Sequence, residues 1–380
     1  MTKREIPFGR PWIEDADKQA VLDVLNGYIL THGPQCKGFE ADFVAHMGGG
    51  HAISTSSAMA SLHLSYLCQD IGPGGEVIVP AQTHVATVHA AELVGATPVF
   101  VDCELTTGNM DLDKVEAAIT PRTKAISVVH FCGIPVAMPK LMAIAERHGL
   151  KVVEDCALAV GSRYDGVHVG LFGHTGSYSF YPVKHITTGE GGMLVSQYPD
   201  LLDRIAKFRA FNVDRSHTER TIPGIYDVTG VGLNYRMSEM AAALGRTQLA
   251  KIDRILARRA ENFARLKAGL AGVAGVHVLD SADPKATSSH YCLIAVLSGP
   301  LAARRDDLVR ALNAEGVGTS VYYPHPVPRL KYYREKYGYD AAKYANAAVI
   351  SDNSIALPVG PHLTVSDMDY VAETFARVCG

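Results

Sequence analysis

The stretch GSYSFYPVKHITTGEGG, Gly176 to Gly192, reads as a short strand, then a loop with a single lysine, then an exit rich in glycine. Glycine tolerates the positive φ angles and close backbone approaches that a side chain forbids, so this exit is suited to bringing main chain near something. Lys184 is a flexible, strongly hydrated cation set close to Phe180, Tyr181 and Pro182. On an ordinary surface loop such a lysine is only a charge. At a sheet edge, where burial strips its water, the ammonium gives up its proton more readily and the amine can attack a carbonyl. Lys184 is therefore a candidate Schiff-base lysine.

Working outward, short β-branched runs alternate with helical patterns from about Ala52 to Gln197. EVIVP (Glu76–Pro80), TPVFVD (Thr97–Asp102), KAISVVHF (Lys124–Phe131), KVVED (Lys151–Asp155) and GSYSF (Gly176–Phe180) read as strands. HVATVHAAELVG and MPKLMAIAERHGL lie between strands and are amphipathic at helical spacing. This alternation predicts an α/β fold, a largely parallel sheet wrapped by helices. Ligands of such sheets bind beyond the carboxyl ends of the strands, where Asp155, Ser179 and the loop before Lys184 fall. After about Asn234 the pattern changes. One long helical segment is expected from Ser238 to Ala271, then a smaller unit with strands at HYCLIAVL and GTSVYY and helices near Ala302–Glu315 and Asp340–Ile350. The division is placed near Gly245: a large domain over 1–245, with an N-terminal arm, and a small C-terminal domain over 246–380.

A chain of 380 residues is long enough for two domains sharing an interface. The apolar share of 47% supports a substantial core. A net charge of −3 without any basic run argues against a nucleic-acid or anionic-membrane partner. RILARRAENFARLK (Arg254–Lys267) has helical spacing and reads as a solvated helix face. The seven cysteines include no CxxC pair, which suits a reducing cytoplasm and disfavours disulfides or structural zinc. No window approaches the ~18 apolar residues of a membrane helix, so a soluble, cytoplasmic protein is expected.

A Schiff-base cofactor needs three supports. Pyridoxal phosphate (PLP) stores carbanion electrons in its ring only while the ring nitrogen stays protonated, which requires an acid beside it. VVEDCALAVG offers Glu154 and Asp155 at the end of a strand. Alternation points the two to opposite faces, and Asp155 is the expected partner. The phosphate needs convergent N–H and hydroxyl donors, as a helix N-terminus provides. STSSAMASLHLSYL is rich in hydroxyls and then turns helical, so Ser57 and the amides of Ala58, Met59 and Ala60 are candidates. An N-cap cluster with no ligand reads the same way. Ser179 adds a hydroxyl shortly before Lys184. His84, after a strand in PAQTHVATVHAA, is placed to cover the ring, although a lone histidine is more often structural.

The pattern S-F-x-x-x-K-x-x-x-x-G-E-G-G, taken with GPGGEVIVP, GATPVFVD, VVEDCALA and GVGLNYRMSEMAAALG, resembles the DegT/DnrJ/StrS family of keto-sugar aminotransferases. The similarity runs from about Ile6 to Pro361. The lysine motif alone is moderately specific; five motifs in family order are strong. The resemblance implies a PLP enzyme of aminotransferase fold type I, a homodimer with active sites at the subunit interface. By position, Lys184 resembles the lysine that holds the cofactor, Asp155 the ring-nitrogen partner and Ser179 the phosphate-binding serine. Asn234, in LNYRM, resembles the asparagine that reaches the phosphate from the neighbouring subunit, and His84 falls where members stack a ring on the cofactor. L-Glutamate is then the expected donor, with pyridoxamine phosphate between the two halves of the reaction. The usual acceptor is a nucleotide-linked 4-keto-6-deoxy sugar, in cell-surface polysaccharide or amino-sugar biosynthesis.

Three departures stand out. The family's phosphate turn usually reads Gly-Thr where this chain has Ala58–Met59, so Ser57 and backbone amides have to compensate. Leu158 stands where members commonly have Gln or His, which makes the pocket more apolar. The family's DM dipeptide appears as Ala137–Met138, read as structural. Sugar dehydratases of the family carry a histidine in the lysine slot, whereas FYPVKH keeps Lys184 and moves His185 to the next position. Transamination is thus expected over elimination. A non-catalytic PLP-binding regulator is the rival that Leu158 and Met59 leave open, and an acid sugar such as an 8-oxo-3-deoxy-octulosonate is an alternative acceptor. A dinucleotide enzyme is set aside because no GxGxxG follows the first strand. Arg215 and Arg220, in NVDRSHTERTIPGIYDV, are candidates to meet a diphosphate, a solvated loop being equally compatible. His325, in YYPHPVP, resembles a histidine that members place near the sugar.

Overall fold

The runs read as strands around Lys184 come together in one seven-stranded sheet. A computed structural model describes residues 3–214, 222 and 224–380. In it the sheet order is β1 (His51–Thr55), β9 (Gly192–Ser196), β8 (Thr175–Ser179), β5 (Lys151–Asp155), β4 (Thr123–Val129), β2 (Glu76–Pro80), β3 (Thr97–Val101). β3, β2, β4, β5 and β8 pair in parallel, and β9 runs antiparallel between β8 and β1. Every residue of β2, β8 and β9 is buried, as befits a sheet covered on both faces. α3 (Ala58–Leu67) follows β1, α4 (Val85–Leu93) joins β2 to β3, and α5 (Met138–Arg147) joins β4 to β5. α5 turns Met138, Leu141, Ile144 and Ala145 inward onto Ile78, Ile126 and Val128 of the sheet. Burial of each large aliphatic side chain there contributes about 1.5–3 kcal/mol. The parallel topology brings the carboxyl ends of β1, β2, β5 and β8 to one edge, and the candidate residues leave the sheet from that edge.

α1 (Asp15–Leu25) and α2 (Pro34–Met47) precede the sheet, and α6 (Pro199–Arg209) follows β9. The helix expected from Ser238 to Ala271 is two helices, α7 (Glu239–Leu249) and α8 (Ile252–Leu270). The break falls at Ala250–Lys251, where the Lys251 ammonium donates to Asp17 at 2.5 Å and to the Trp12 carbonyl at 2.9 Å. α7 packs on α1 and α2, α8 packs on α12 (Val365–Cys379), and the division proposed near Gly245 lies within α7. α8 is less solvated than its charges imply. Ile255, Arg259, Asn262 and Phe263 are buried, and Arg259 stays inside by donating to the Tyr291 carbonyl at 2.8 Å.

A second sheet, β10 (Val276–Val278), β12 (Leu293–Leu297) and β13 (Ser354–Leu357), is antiparallel. HYCLIAVL thus supplies its strand. GTSVYY does not: it makes only an isolated bridge from Ser320 to Ala356, because the chain then turns Tyr322 and Tyr323 toward the cavity described below. α9 (Arg305–Ala314), α10 (Lys331–Tyr337) and α11 (Ala345–Asn353) surround this part. Ile6, near the start of the chain, is buried in its core with Leu293 and Val317. Three two-residue strands, β6 (Arg163–Tyr164), β7 (Val167–His168) and β11 (Ala286–Thr287), form a small third sheet. No helix among the described residues is long and apolar enough to cross a membrane.

Candidate active site

A cavity of about 330 Å³ opens where β1, β2, β5 and β8 end, lined by Ser57, Ala58, Met59, His84, Asp155 and Lys184 among others. The start of α3 forms one wall. Ser57 is its N-cap, extended at φ −169°, and its hydroxyl accepts from the Ala60 amide at 3.1 Å. The amides of Ala58 and Met59 open the helix and have no intrahelical acceptor, so they can receive an anion. The turn is fixed from behind: Thr55 Oγ1 donates to the Ser57 carbonyl at 3.0 Å, and the Ser56 amide donates to the Tyr235 carbonyl at 2.8 Å. Gly192 explains the glycine run of the opening motif. A Cβ there would lie 2.5 Å from the Ser57 carbonyl carbon and 2.7 Å from the Ala58 nitrogen, so only glycine lets β9 pass the helix start.

Glu154 and Asp155 face opposite sides of β5. Glu154 is fully buried away from the cavity, where its carboxylate accepts from His130 Nε2 and from the amides of Gly170, Phe172 and Gly173. Asp155 lines the cavity; one oxygen accepts from Thr87 Oγ1 at 2.7 Å and the other from the Ala157 amide at 3.0 Å. Lys184 reaches the same space with its ammonium 5.3 Å from the centre of the Tyr291 ring. Burial pulls that ammonium down to about 8, against the opposing pull of Asp155. His84 caps α4 by accepting from the Ala86 amide, and its ring meets Tyr323 edge-on at 5.5 Å. His84 is exposed at the cavity rim, and partial desolvation there draws its imidazole below the ordinary value.

An amide cradle, an amine of depressed basicity and a buried carboxylate thus converge on one space. Pyridoxal phosphate fits this donor set: cradle for phosphate, amine for aldehyde, carboxylate for ring nitrogen. Compared with known families, residues 11–376 match the model of the DegT/DnrJ/EryC1/StrS aminotransferase family. The chain belongs to that family. Solved structures agree. Spr1654 of Streptococcus pneumoniae, assigned as a sugar aminotransferase and solved in a PMP form, superposes at a TM-score of 0.94 with 30% identity over 99% of both chains. DesV of S. venezuelae, in complex with a ketimine intermediate, gives 0.89 at 32% identity, covering 98% of this chain and 99% of that one. PseC of Helicobacter pylori, an aminotransferase of pseudoaminic acid biosynthesis, gives 0.91 at 26% identity, again over 98% and 99%. The architecture is that of aminotransferase fold type I.

Within this family member, Ser57, Ala58, Met59, His84, Asp155, Leu158, Ser179 and Lys184 all line the one cavity. Leu158 is almost fully buried there, an apolar wall where a hydrogen-bonding residue was expected from the resemblance. Asn234 and His325 lie outside this lining. Asn234 is exposed and bridges to Ala210, outside the lining of its own chain. His325 is exposed and accepts from Arg329 at 2.6 Å, the same arginine being paired with Asp352. Arg215 and Arg220 lie outside the described residues. Sequence reasoning missed Thr83, Thr87, Tyr291, Tyr322 and Tyr323. The two threonines stand four apart at the start of a helix in the segment already singled out for His84, a signal that was available. Tyr322 and Tyr323 sit in the segment read for His325, three and two residues from the side chain that was chosen.

Proposed function

We propose that this chain is a PLP-dependent transaminase moving an amino group from L-glutamate to a keto sugar, with a nucleotide-linked 4-keto-6-deoxy sugar as the first acceptor to test. The observation that carries the reading is Lys184, whose depressed basicity near 8 comes from burial in the cavity shared by Asp155 and the start of α3. The cofactor supplies an electron sink for the carbon that loses its proton. Lys184 would provide the amine that holds the aldehyde and, when free, would move the proton at the substrate carbon, first as base and then as acid. A group that titrates near 8 can do both near neutral pH. Asp155 would sit beside the ring nitrogen of the bound cofactor, and the amides of Ala58 and Met59, with Ser57 and Ser179 nearby, would hold its phosphate. His84 would cover the ring. Leu158 and Tyr291, both buried, and the half-buried Tyr323 would help to exclude water.

The reading includes a homodimer. Tyr28 is 94% exposed and Val231 89%, and Tyr28 borders a cleft of about 760 Å³ with Ile29, Leu30 and Arg209. The apolar residues Tyr28, Ile29 and Leu30 at this cleft support an interface there, and an exposed Asn234 suits a role at a partner's phosphate. Purified protein with PLP is expected to show a visible cofactor band that bleaches on adding glutamate and returns on adding the correct keto sugar. A panel of nucleotide-linked 4-keto sugars beside acidic keto-octulosonates identifies the acceptor. Protein that stays colourless with PLP overturns the reading.

A further inference from the structure

Thr87 lies on α4 behind the cavity wall and is fully buried. Its hydroxyl is 2.7 Å from Asp155 Oδ2 and 2.8 Å from the hydroxyl of Thr83, itself almost fully buried. An ionised carboxylate only accepts, so the single Thr87 hydrogen goes to Asp155. Thr83 must then donate to Thr87. The contacts form a directed chain, Thr83 to Thr87 to Asp155, while the Ala157 amide holds the other carboxylate oxygen at 3.0 Å. Donors on both oxygens fix the plane of the carboxylate, which lines the cavity and keeps acceptor capacity to spare.

We propose that Thr87 is a positioning residue that acts through Asp155, with Thr83 fixing the direction of its hydrogen, so that Asp155 presents a set acceptor to the ring N–H of the cofactor. The proposal rests on Asp155 being the ring-nitrogen partner. A threonine that merely packs α4 against β5 would be replaced by valine, of the same shape, without consequence for the cofactor. Hydrogen bonds to a charged group are strong enough that losing this one weakens binding about ten- to a hundredfold.

The test measures PLP binding to the apoprotein and the pH dependence of the visible band, with melting of each apoprotein as the check on folding. Thr87→Val is expected to bind PLP about ten- to a hundredfold more weakly and to shift the pH profile of the band, whereas Thr87→Ser stays within about threefold of the wild type. Thr83→Val leaves Thr87 in place and is expected to cost about threefold, and it carries the test should Thr87→Val fail to fold. In an Asp155→Asn background, Thr87→Val adds little, because its partner is gone. The proposal is overturned if Thr87→Val binds PLP like the wild type while Asp155→Asn weakens binding. It also falls, for a different reason, if Asp155→Asn itself leaves both binding and band unchanged, since the ring-nitrogen role then fails first.

Discussion

Glu154 and Asp155 are consecutive carboxylates on β5 with opposite surroundings. Glu154 points to a sealed side and accepts from four donors: His130 at 3.0 Å, and the amides of Gly170 at 2.7 Å, Phe172 at 2.9 Å and Gly173 at 2.6 Å. Asp155 points to the cavity and has two, Thr87 and Ala157. The first group has its hydrogen bonds filled by the protein and holds a loop in place. The second keeps acceptor capacity free beside an amine. How fully a buried charge is satisfied separates structural from chemical use better than residue type or sequence position.

Removing the amine on the open side should have the largest effect. Lys184→Ala is expected to lower turnover by at least about 10²–10⁴-fold, the range for a positioned acid–base group, with the melting temperature little changed. Assay with glutamate and the identified acceptor checks it, and a near-normal rate would break the contrast. The two carboxylates should then separate by kind of defect. Asp155→Asn should fold and lose about 10²–10³-fold in rate, an ordinary loss for a preorganised electrostatic group. Glu154→Gln should instead destabilise the fold by about 3 kcal/mol or more, since buried N–H groups lose their charged acceptor. Equal denaturation midpoints for the two variants would erase the distinction.

A smaller effect should appear in pH dependence. Only the unprotonated Lys184 amine can take the aldehyde, and burial places its titration near 8. The rate of PLP uptake by the apoprotein should rise with pH below about 8 and level off above it. A rise that continues toward the ordinary lysine value would mean the amine is not desolvated. The smallest expected effect lies on the sealed side. His168 is almost fully buried, neither ring nitrogen has a hydrogen-bond partner among the described residues, and burial pulls its imidazole down to about 3. The unfolded chain takes up that proton near 6.5 and the folded one does not, so stability falls as pH drops from 6.5 toward 3, by at most about 1.4 kcal/mol per pH unit. His168→Leu should flatten the dependence of melting temperature on acid.

Much of the open side was legible because its signals are local. The strand runs Glu76–Pro80 and Lys151–Asp155 match the observed strands, and the lysine, the acid and the hydroxyl-rich helix start lie at or just beyond strand ends. What was illegible depends on distant partners. The helical pattern breaks at Ala250–Lys251, where the Lys251 ammonium is held by Asp17 and Trp12 from the far N-terminal part of the chain. Tyr322 and Tyr323 belong to a strand-like run, yet the cavity takes them out of the sheet. His325 was chosen by resemblance, and Arg329 holds it elsewhere. Thr87 was within reach, since it opens the helix in the segment already read for His84, but its partner, Asp155, lies far along the chain.

The most direct test of the central claim is chemical. Holoprotein treated with borohydride, digested and mapped by mass spectrometry should carry a reduced pyridoxyl group on the peptide containing Lys184, and nowhere else. A Lys184 peptide without that adduct, from protein that had bound PLP, would contradict the account.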